Sequence, residues 1–193
     1  MRIFLLVVLL LTGNATAWAE GTSRFQGHFG IGQGTTVSAD GRTTFIENPM
    51  AFGFTVDHEW TDAFFIYTEH LRSFGSAGTS NGFTGWGVKY YPWMTPLQGL
   101  GEYKDNTDKS STSLQGYSTY FGGDVGFAQS SVSADAGHSA VVSVGPFLGF
   151  KAGMEFPFSK KWSWVTEFNF AMSLGGTGTM NYFSITGGAS FAL

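Results

Sequence analysis

Seven charged residues and one histidine alternate with apolar residues along segments that have the pattern of β-strands. Successive side chains of a strand point to opposite faces, so these eight residues lie on the face opposite the apolar one. Packed closely, their carboxylates and cations would form ion pairs, whereas an open arrangement would form a path for ions. The predicted polar face contains His28, Asp57, Glu69, Lys89, Asp124, Lys151, Glu155 and Glu167, with Gln26 nearby.

Other candidate chemistry is weaker. The four histidines, His28, His58, His70 and His138, do not form a close-spaced pair with another metal-ligating residue. Cysteine is absent, which excludes thiolate metal sites, disulfides and cysteine nucleophiles. The glycine-rich segment 30–34 lacks the GK[ST] ending and following helix of a phosphate loop, so it is interpreted as strand. We therefore expect no metal site and no cofactor.

The elements that must position the polar face are amphipathic strands. In the last segment Phe183, Ile185, Phe191 and Leu193 share one face, opposite small and polar residues. The same period of two recurs in seven earlier segments, which predicts eight strands in all. The phase of residues 63–73 is ambiguous, and Glu69 is placed on the inner face. The earlier segments are residues 25–32, 52–57, 63–73, 84–90, 120–127, 143–158 and 163–174.

Composition favours a sheet whose outer face contacts lipid. Charged residues make up only 12% of the chain and aromatic residues 17%, against about 25% charged in soluble domains. No segment after residue 19 is apolar and long enough for a transmembrane helix, and otherwise only a closed barrel satisfies every backbone group in hydrocarbon. The alternative, a soluble β-sandwich, would need a more polar surface. A predicted interfacial girdle comprises Trp60, Tyr90, Tyr91, Trp93, Trp162 and Trp164.

The N-terminus has the pattern of a cleaved signal peptide over residues 1–19, which leaves residues 20–193 as one barrel domain. Arg2 precedes nine apolar residues, and Ala17-Trp18-Ala19 forms a small-x-small cleavage site. Nine residues reach only about 13 Å as a helix, too short for a membrane anchor. The remaining chain has nine Lys and Arg against fourteen Asp and Glu, a net charge of −5. This balance argues against a nucleic-acid partner.

The segments that connect the predicted strands indicate which side of the membrane each loop faces. If both termini face the periplasm, the polar segments 38–48, 75–81, 130–140 and 175–179 are outward loops. Residues 59–62 and 159–161 are predicted periplasmic turns. Residues 94–116 fall on the periplasmic side as well, either as an insertion or as a hidden pair of strands.

Taken together these features resemble the small OmpA-type and OmpX-type outer-membrane barrels, within the outer membrane protein β-barrel domain grouping. The resemblance rests on the signal peptide, on residues 85–91 and 145–150, and on the terminal strand, and it covers most of residues 24–193. It implies an all-β fold, a closed antiparallel up-and-down transmembrane barrel, in the bacterial outer membrane. The implied partners are outer-membrane lipid, including lipopolysaccharide, and the assembly machinery that recognises a terminal amphipathic strand.

This resemblance leaves the function open, because members serve as anchors, adhesins, small pores or lipid-modifying enzymes. We expect a structural or surface-interaction protein that is not an enzyme, with a plugged polar lumen, because eight strands enclose little more than their own side chains. A narrow ion or small-solute pore is the alternative. A lipid A-modifying enzyme is third, because the His and Ser of barrel deacylases are one residue apart, whereas His138 and Ser139 are adjacent and point to opposite faces.

Overall fold

The computed structural model describes residues 22–38, 43–75, 80–93, 117–132, 141–159, 161–175 and 178–193. The predicted signal peptide, the segment 94–116 and His138 lie outside these residues. The described residues form eight strands: β1 (Ser23–Ser38), β2 (Thr43–Thr61), β3 (Phe64–Phe74), β4 (Ser80–Tyr90), β5 (Ser118–Val132), β6 (Val141–Pro157), β7 (Trp162–Ser173) and β8 (Gly178–Ala192).

The strands close into one barrel in sequence order. Each strand pairs with the next in antiparallel orientation, and β8 closes the ring against β1. We call the end where β1 begins and β8 ends the terminal end, and the opposite end the far end. The predicted up-and-down barrel is therefore confirmed. Within the described part of the chain, no helix has the length and hydropathy required to cross a membrane.

Several strands are longer than the sequence pattern predicts. Residues 43–48, predicted as loop, belong to β2 and pair with β1 from Val37 to Gly32. Residues 130–132 continue β5, and residues 59–61, predicted as a turn, belong to β2 with a register shift between Glu59 and Thr61. These segments lack an apolar face, so alternation does not reveal them. Backbone pairing with a neighbouring strand holds them extended.

The barrel wall separates an apolar outer face from a largely polar interior. In β7 the buried and exposed residues alternate without exception, with Glu167 buried and its neighbour Phe168 exposed. In β3 the buried series runs through Phe65, Tyr67 and Glu69, which resolves the ambiguous phase and places Glu69 inward. The large exposed residues of the outer wall include Phe29, Phe52, Phe54, Trp86, Val125, Phe127, Phe150, Phe168, Phe170 and Ile185.

Glycines on the inner wall provide the space for the largest lumen side chains. A Cβ atom added to Gly87 would lie 2.5 Å from Cζ of Tyr67, and one added to Gly122 would lie 2.7 Å from Cγ of Lys151. The same relation holds for Gly153 beneath Tyr120. Since eight strands enclose a narrow interior, a large inner side chain is accommodated where the paired residue of the neighbouring strand is glycine.

Candidate functional site

All eight residues of the predicted polar face lie inside the barrel, and each is less than a tenth exposed. Gln26, predicted to lie near this set, joins them there, as do further polar groups that the sequence analysis did not include in it, among them Arg24, Tyr67, Tyr91 and Tyr120. Contacts between strands that are distant in sequence then divide the interior into three layers.

The layer nearest the terminal end is centred on Arg24 of β1. Its guanidinium forms ion pairs with Asp57 of β2, at 2.9 Å, and with Glu155 of β6, at 2.8 Å across the lumen. The same group donates a hydrogen bond to the Tyr91 hydroxyl at 2.8 Å and lies over the ring of Phe65, 4.5 Å from its centroid. Arg24 therefore links three strands through charged contacts.

Lys89 completes this layer. Its Nζ lies 3.1 Å from both carboxylate oxygens of Asp57 and donates to Oε1 of Gln26 at 2.8 Å. Gln26 in turn donates to Glu155 at 3.1 Å, and the Tyr91 hydroxyl donates to the same Glu155 oxygen at 2.6 Å. Two cations thus face two carboxylates. We call Arg24, Gln26, Asp57, Lys89, Tyr91 and Glu155 the terminal network.

A second layer lies at mid-height and is not balanced in charge. Lys151 forms an ion pair with Glu69 at 2.6 Å, and its Nζ lies 3.5 Å from Glu167. Glu167 also accepts a 2.5 Å hydrogen bond from the Tyr120 hydroxyl. Asp124 interacts electrostatically with Lys151 as well. Here one cation faces three carboxylates, and we call Glu69, Asp124, Lys151 and Glu167 the central cluster.

An apolar layer fills the interior above the central cluster. Phe83 packs edge-on against Phe147, with ring centroids 5.5 Å apart, and lies 4.9 Å from the ring of Tyr182. Beyond it, towards the far end, Ser73 and Asn81 are buried as well. The members of this layer are Ala51, Leu71, Phe83, Ala128, Phe147, Ala171, Met180 and Tyr182.

The three histidines that the structure describes are separated from one another. His28 faces the lumen and shares a 3.0 Å hydrogen bond with Thr55, whereas His58 bonds to Ser23 at 2.9 Å near the terminal end. His70 lies on the outer wall and bonds to Thr84 at 2.8 Å. Among the described residues, no group of three or more His, Asp and Glu side chains is arranged to hold a metal ion.

Sequence alternation could have revealed the two most important missed groups. Arg24 is two residues before Gln26, on the same face of β1, but the strand was predicted to begin at Phe25. Tyr91 is two residues after Lys89 and is buried in the terminal network, so its assignment to the interfacial girdle was wrong. The other five predicted girdle residues are exposed: Trp60, Tyr90, Trp93, Trp162 and Trp164.

The fold and the two faces of the barrel wall together define the class of protein. A closed antiparallel barrel satisfies all the backbone groups of its strands, and an apolar outer belt with exposed aromatic residues is the surface such barrels present to lipid. The chain is a small transmembrane β-barrel of the bacterial outer-membrane type.

Comparison with solved structures gives the same fold. Neisserial surface protein A, NspA, superposes with a TM-score of 0.59 at 12% identity, over 88% of this chain and 96% of that one. The N-terminal β-barrel domain of Pseudomonas aeruginosa OprF gives 0.50 at 11% identity, over 90% and 100%. Ail, the attachment invasion locus protein of Yersinia pestis, gives 0.50 at 12%, over 88% and 99%. The sequence matches no family model and no curated protein.

Proposed function

We propose that this chain is an integral outer-membrane protein with a structural or surface-interaction role and a plugged lumen. The observation that carries the proposal is the filled interior. The terminal network, the central cluster and the apolar layer follow one another along the barrel, and their side chains are buried. A lumen closed at three levels leaves the outer wall and the two ends as the surfaces available for function.

The arrangement of charges inside the barrel supports a plugged lumen better than a path for ions. Arg24, Lys89 and Lys151 each contact at least one carboxylate directly, at 2.6–3.1 Å. Ion pairs of this geometry offset the cost of burying their charges, and separating them would expose each charge to a low-dielectric interior. A conducting lumen would instead need groups that bind a passing ion weakly enough to release it.

The far end offers a surface for interaction. A membrane-spanning strand needs about 9–11 residues, whereas β2 has 19 and β6 has 17. Pairing of β3 with β2 stops where Phe74 meets Met50, but β2 and β1 remain paired as far as Thr43 and Val37. This β1–β2 extension rises above the neighbouring β3, and we propose that it projects from the outer face of the membrane.

Lipid is the first proposed partner. The outer wall would contact the acyl chains, and Arg72, which lies on that wall near the far end of β3, would face the headgroup region, including the phosphates of lipopolysaccharide. The outer-membrane assembly machinery is proposed to recognise the amphipathic β8 during biogenesis. We propose no nucleic-acid partner, no cofactor and no catalytic site.

Conductance across a planar lipid bilayer tests the plug. The purified, folded full chain should give no unitary current events under conditions in which a general porin does. As a matched pair, Lys89→Gln removes a lumen cation and Lys161→Gln removes an exposed one. The unmodified protein could instead give reproducible current events that Lys89→Gln changes and Lys161→Gln does not. This result would overturn the plugged lumen in favour of a pore.

A second measurement tests the proposed absence of catalysis. Lipid A is extracted from isogenic cells with and without the protein and compared by mass spectrometry. The two spectra should be the same. A protein-dependent loss or gain of an acyl chain would show a lipid-modifying enzyme, and substitution of Ser139, which lies outside the described residues, would then test whether the adjacent His138 and Ser139 take part.

A further inference from the structure

One cation of the barrel differs from the others in having no counter-charge. The described strands contain four Lys or Arg side chains, and three of them, Arg24, Lys89 and Lys151, lie in the lumen and contact carboxylates directly. The fourth, Arg72 of β3, is exposed on the outer wall, and no ion pair joins it to another residue that the structure describes. The barrel wall separates it from the buried carboxylates. Its guanidinium is therefore available for an anionic partner.

The position of Arg72 along β3 corresponds to the boundary between hydrocarbon and headgroups. The strand has 11 residues, which at about 3.3 Å per residue and a tilt of about 45° span roughly 25 Å, the height of the apolar band of such barrels. Arg72 is two residues from the far end of the strand. An arginine at that level can keep its methylene groups against the wall and extend its charged group to the membrane surface. The anions at that surface are lipid phosphates.

An open strip of wall lies beside Arg72. Its partner on β4 is Gly82, whose own partner on β5 is the exposed Gln129. Among the described residues beyond its chain neighbours, a Cβ atom added to Gly82 would meet only the Arg72 side chain within 4 Å, at 3.9 Å from Nε and 4.0 Å from Cγ. Arg72 therefore leans towards Gly82. Two strand spacings, about 9–10 Å, separate Arg72 from Gln129 along this row, and the glycine leaves the wall between them open.

We propose that Arg72, Gly82 and Gln129 form a binding site for one phosphate group of lipid A, the phosphorylated glucosamine disaccharide that anchors lipopolysaccharide. The planar guanidinium of Arg72 would donate two parallel hydrogen bonds to the phosphate, and the amide of Gln129 would donate another from the opposite side. Gly82 would form the floor, where a side chain would take the space of the phosphate. The proposal rests on the proposed contact of the outer wall with lipid, and it adds the chemical group through which that contact is selective.

Aromatic side chains on both sides of the proposed site favour a lipid over a free phosphate. Phe52 is the β2 partner of Arg72, and its ring stacks on Phe74 with the centroids 5.3 Å apart. Trp86 and Phe127 are exposed on β4 and β5, on the terminal-end side of Gly82 and Gln129. The acyl chains of a lipid whose phosphate is held at Arg72 would cover this apolar surface. Inorganic phosphate would gain the charged contact without that burial.

Lipid binding to the folded full chain tests the proposal. The protein is refolded from urea into an uncharged detergent, and native mass spectrometry counts the lipid A molecules on each barrel as the lipid A concentration rises. The comparison ligands are lipid A stripped of its phosphates, phosphatidylglycerol and inorganic phosphate. We expect one lipid A to be retained at concentrations at which the stripped lipid and phosphatidylglycerol are not. Inorganic phosphate at the same concentration should not displace it.

Variants assign the binding to the proposed site. Arg72→Gln should raise the half-saturating concentration of lipid A about tenfold to a hundredfold, as expected for the loss of charged hydrogen bonds. Arg72→Lys keeps the charge without the planar fork and should have an intermediate effect. Gly82→Val keeps the charge but fills the floor, and should weaken binding about as much as Arg72→Gln. Two controls, Lys161→Gln at an exposed position and Gly27→Val on the open outer wall of β1, should change it by less than about twofold.

Four results would overturn the proposal. Equal retention of the stripped lipid would show that acyl chains alone carry the binding, and equal retention of phosphatidylglycerol would show a non-selective contact with anionic lipid. Displacement by inorganic phosphate would show a site for the free anion. Unchanged binding in Arg72→Gln and Gly82→Val would place lipid A elsewhere on the barrel.

The fold of each variant is checked independently of binding, by the faster migration of unheated barrels on gels. A loss of binding in a folded variant is then a property of the site. Binding in detergent does not depend on whether the lumen conducts, and the stripped lipid reports contact with the outer wall alone. Failure of the phosphate site is therefore distinguishable from failure of the plugged lumen and of the proposed lipid contact.

Discussion

Replacing Arg24 with methionine removes the cation that joins both carboxylates of the terminal network. Arg24 pairs with Asp57 at 2.9 Å and with Glu155 at 2.8 Å, while Lys89 reaches only Asp57. Methionine keeps an unbranched side chain against the ring of Phe65. The substitution therefore tests the charge and the hydrogen bonds more than the packing.

The expected loss of stability follows from the partners that each carboxylate retains in the variant. Asp57 retains Lys89, but Glu155 retains only neutral donors, from Gln26, Tyr91 and Ser163. Breaking a buried ion pair by removing one partner costs about 3–5 kcal/mol. Because Glu155 keeps three hydrogen-bond donors, we expect the lower end, about 3 kcal/mol. This corresponds to roughly a hundredfold to two-hundredfold change in the unfolding equilibrium.

Equilibrium urea unfolding in lipid vesicles, followed by tryptophan fluorescence, measures this loss. The midpoint should fall with little change in the m-value, because the fold and its buried surface are retained. Lys161→Met, at an exposed position just before β7, is the control and should change the stability by no more than about 0.5 kcal/mol. A loss below about 1 kcal/mol for Arg24→Met, as for exposed ion pairs, would refute a dry, closed network.

A double-mutant cycle separates the effect of losing contacts from the effect of leaving a buried charge without a partner. Glu155→Gln alone leaves two cations against one carboxylate, whereas Arg24→Met together with Glu155→Gln restores the balance of one to one. The double variant should therefore be more stable than the sum of the two single losses predicts, by about 1–3 kcal/mol. Additive losses would indicate that the two side chains do not depend on each other.

Two further predictions concern the wall. Alanine at Gly87 would place Cβ 2.4 Å from a backbone oxygen of Gly123, so it should lower the free energy of unfolding by about 1–3 kcal/mol. Alanine at Gly27, where a Cβ would meet nothing within 4 Å, should change it by no more than about 0.5 kcal/mol. Equal effects of the two variants in urea unfolding would contradict the close packing at Gly87. Arginine at Val125, which is exposed on the outer wall, should lower the free energy of unfolding in vesicles by about 2–4 kcal/mol. Arginine at Trp60, near the terminal end, should lower it by only about 0–1 kcal/mol. Similar losses for the two variants would place the lipid belt elsewhere.

Period-two alternation predicted the barrel and its polar face because lipid and lumen impose opposite demands on neighbouring residues. The signal fails where those demands weaken. In β3, His70 and Arg72 lie on the outer wall while Phe65 and Leu71 point inward, so local pattern alone leaves the phase ambiguous. Closure of the barrel decides it, since β3 pairs in fixed register with both β2 and β4.

The identity of the lumen residues was easier to predict than their partners. Alternation assigns Glu155 and Lys89 to one face, but ion pairing depends on which strands face each other across the barrel. Arg24 and Glu155 are 131 positions apart and meet only because β1 and β6 lie on opposite sides of the closed ring.

Closure of the lumen is built into the backbone as well as the side chains. Tyr67 lies over Gly87 and Tyr120 over Gly153, so each ring occupies space that its paired residue on the neighbouring strand leaves empty. Widening the barrel to open a path would require strands to separate, at the cost of ladder hydrogen bonds that lipid cannot replace. Conformational change is therefore cheapest at the ends of the strands, and we expect any recognition by this barrel to occur there.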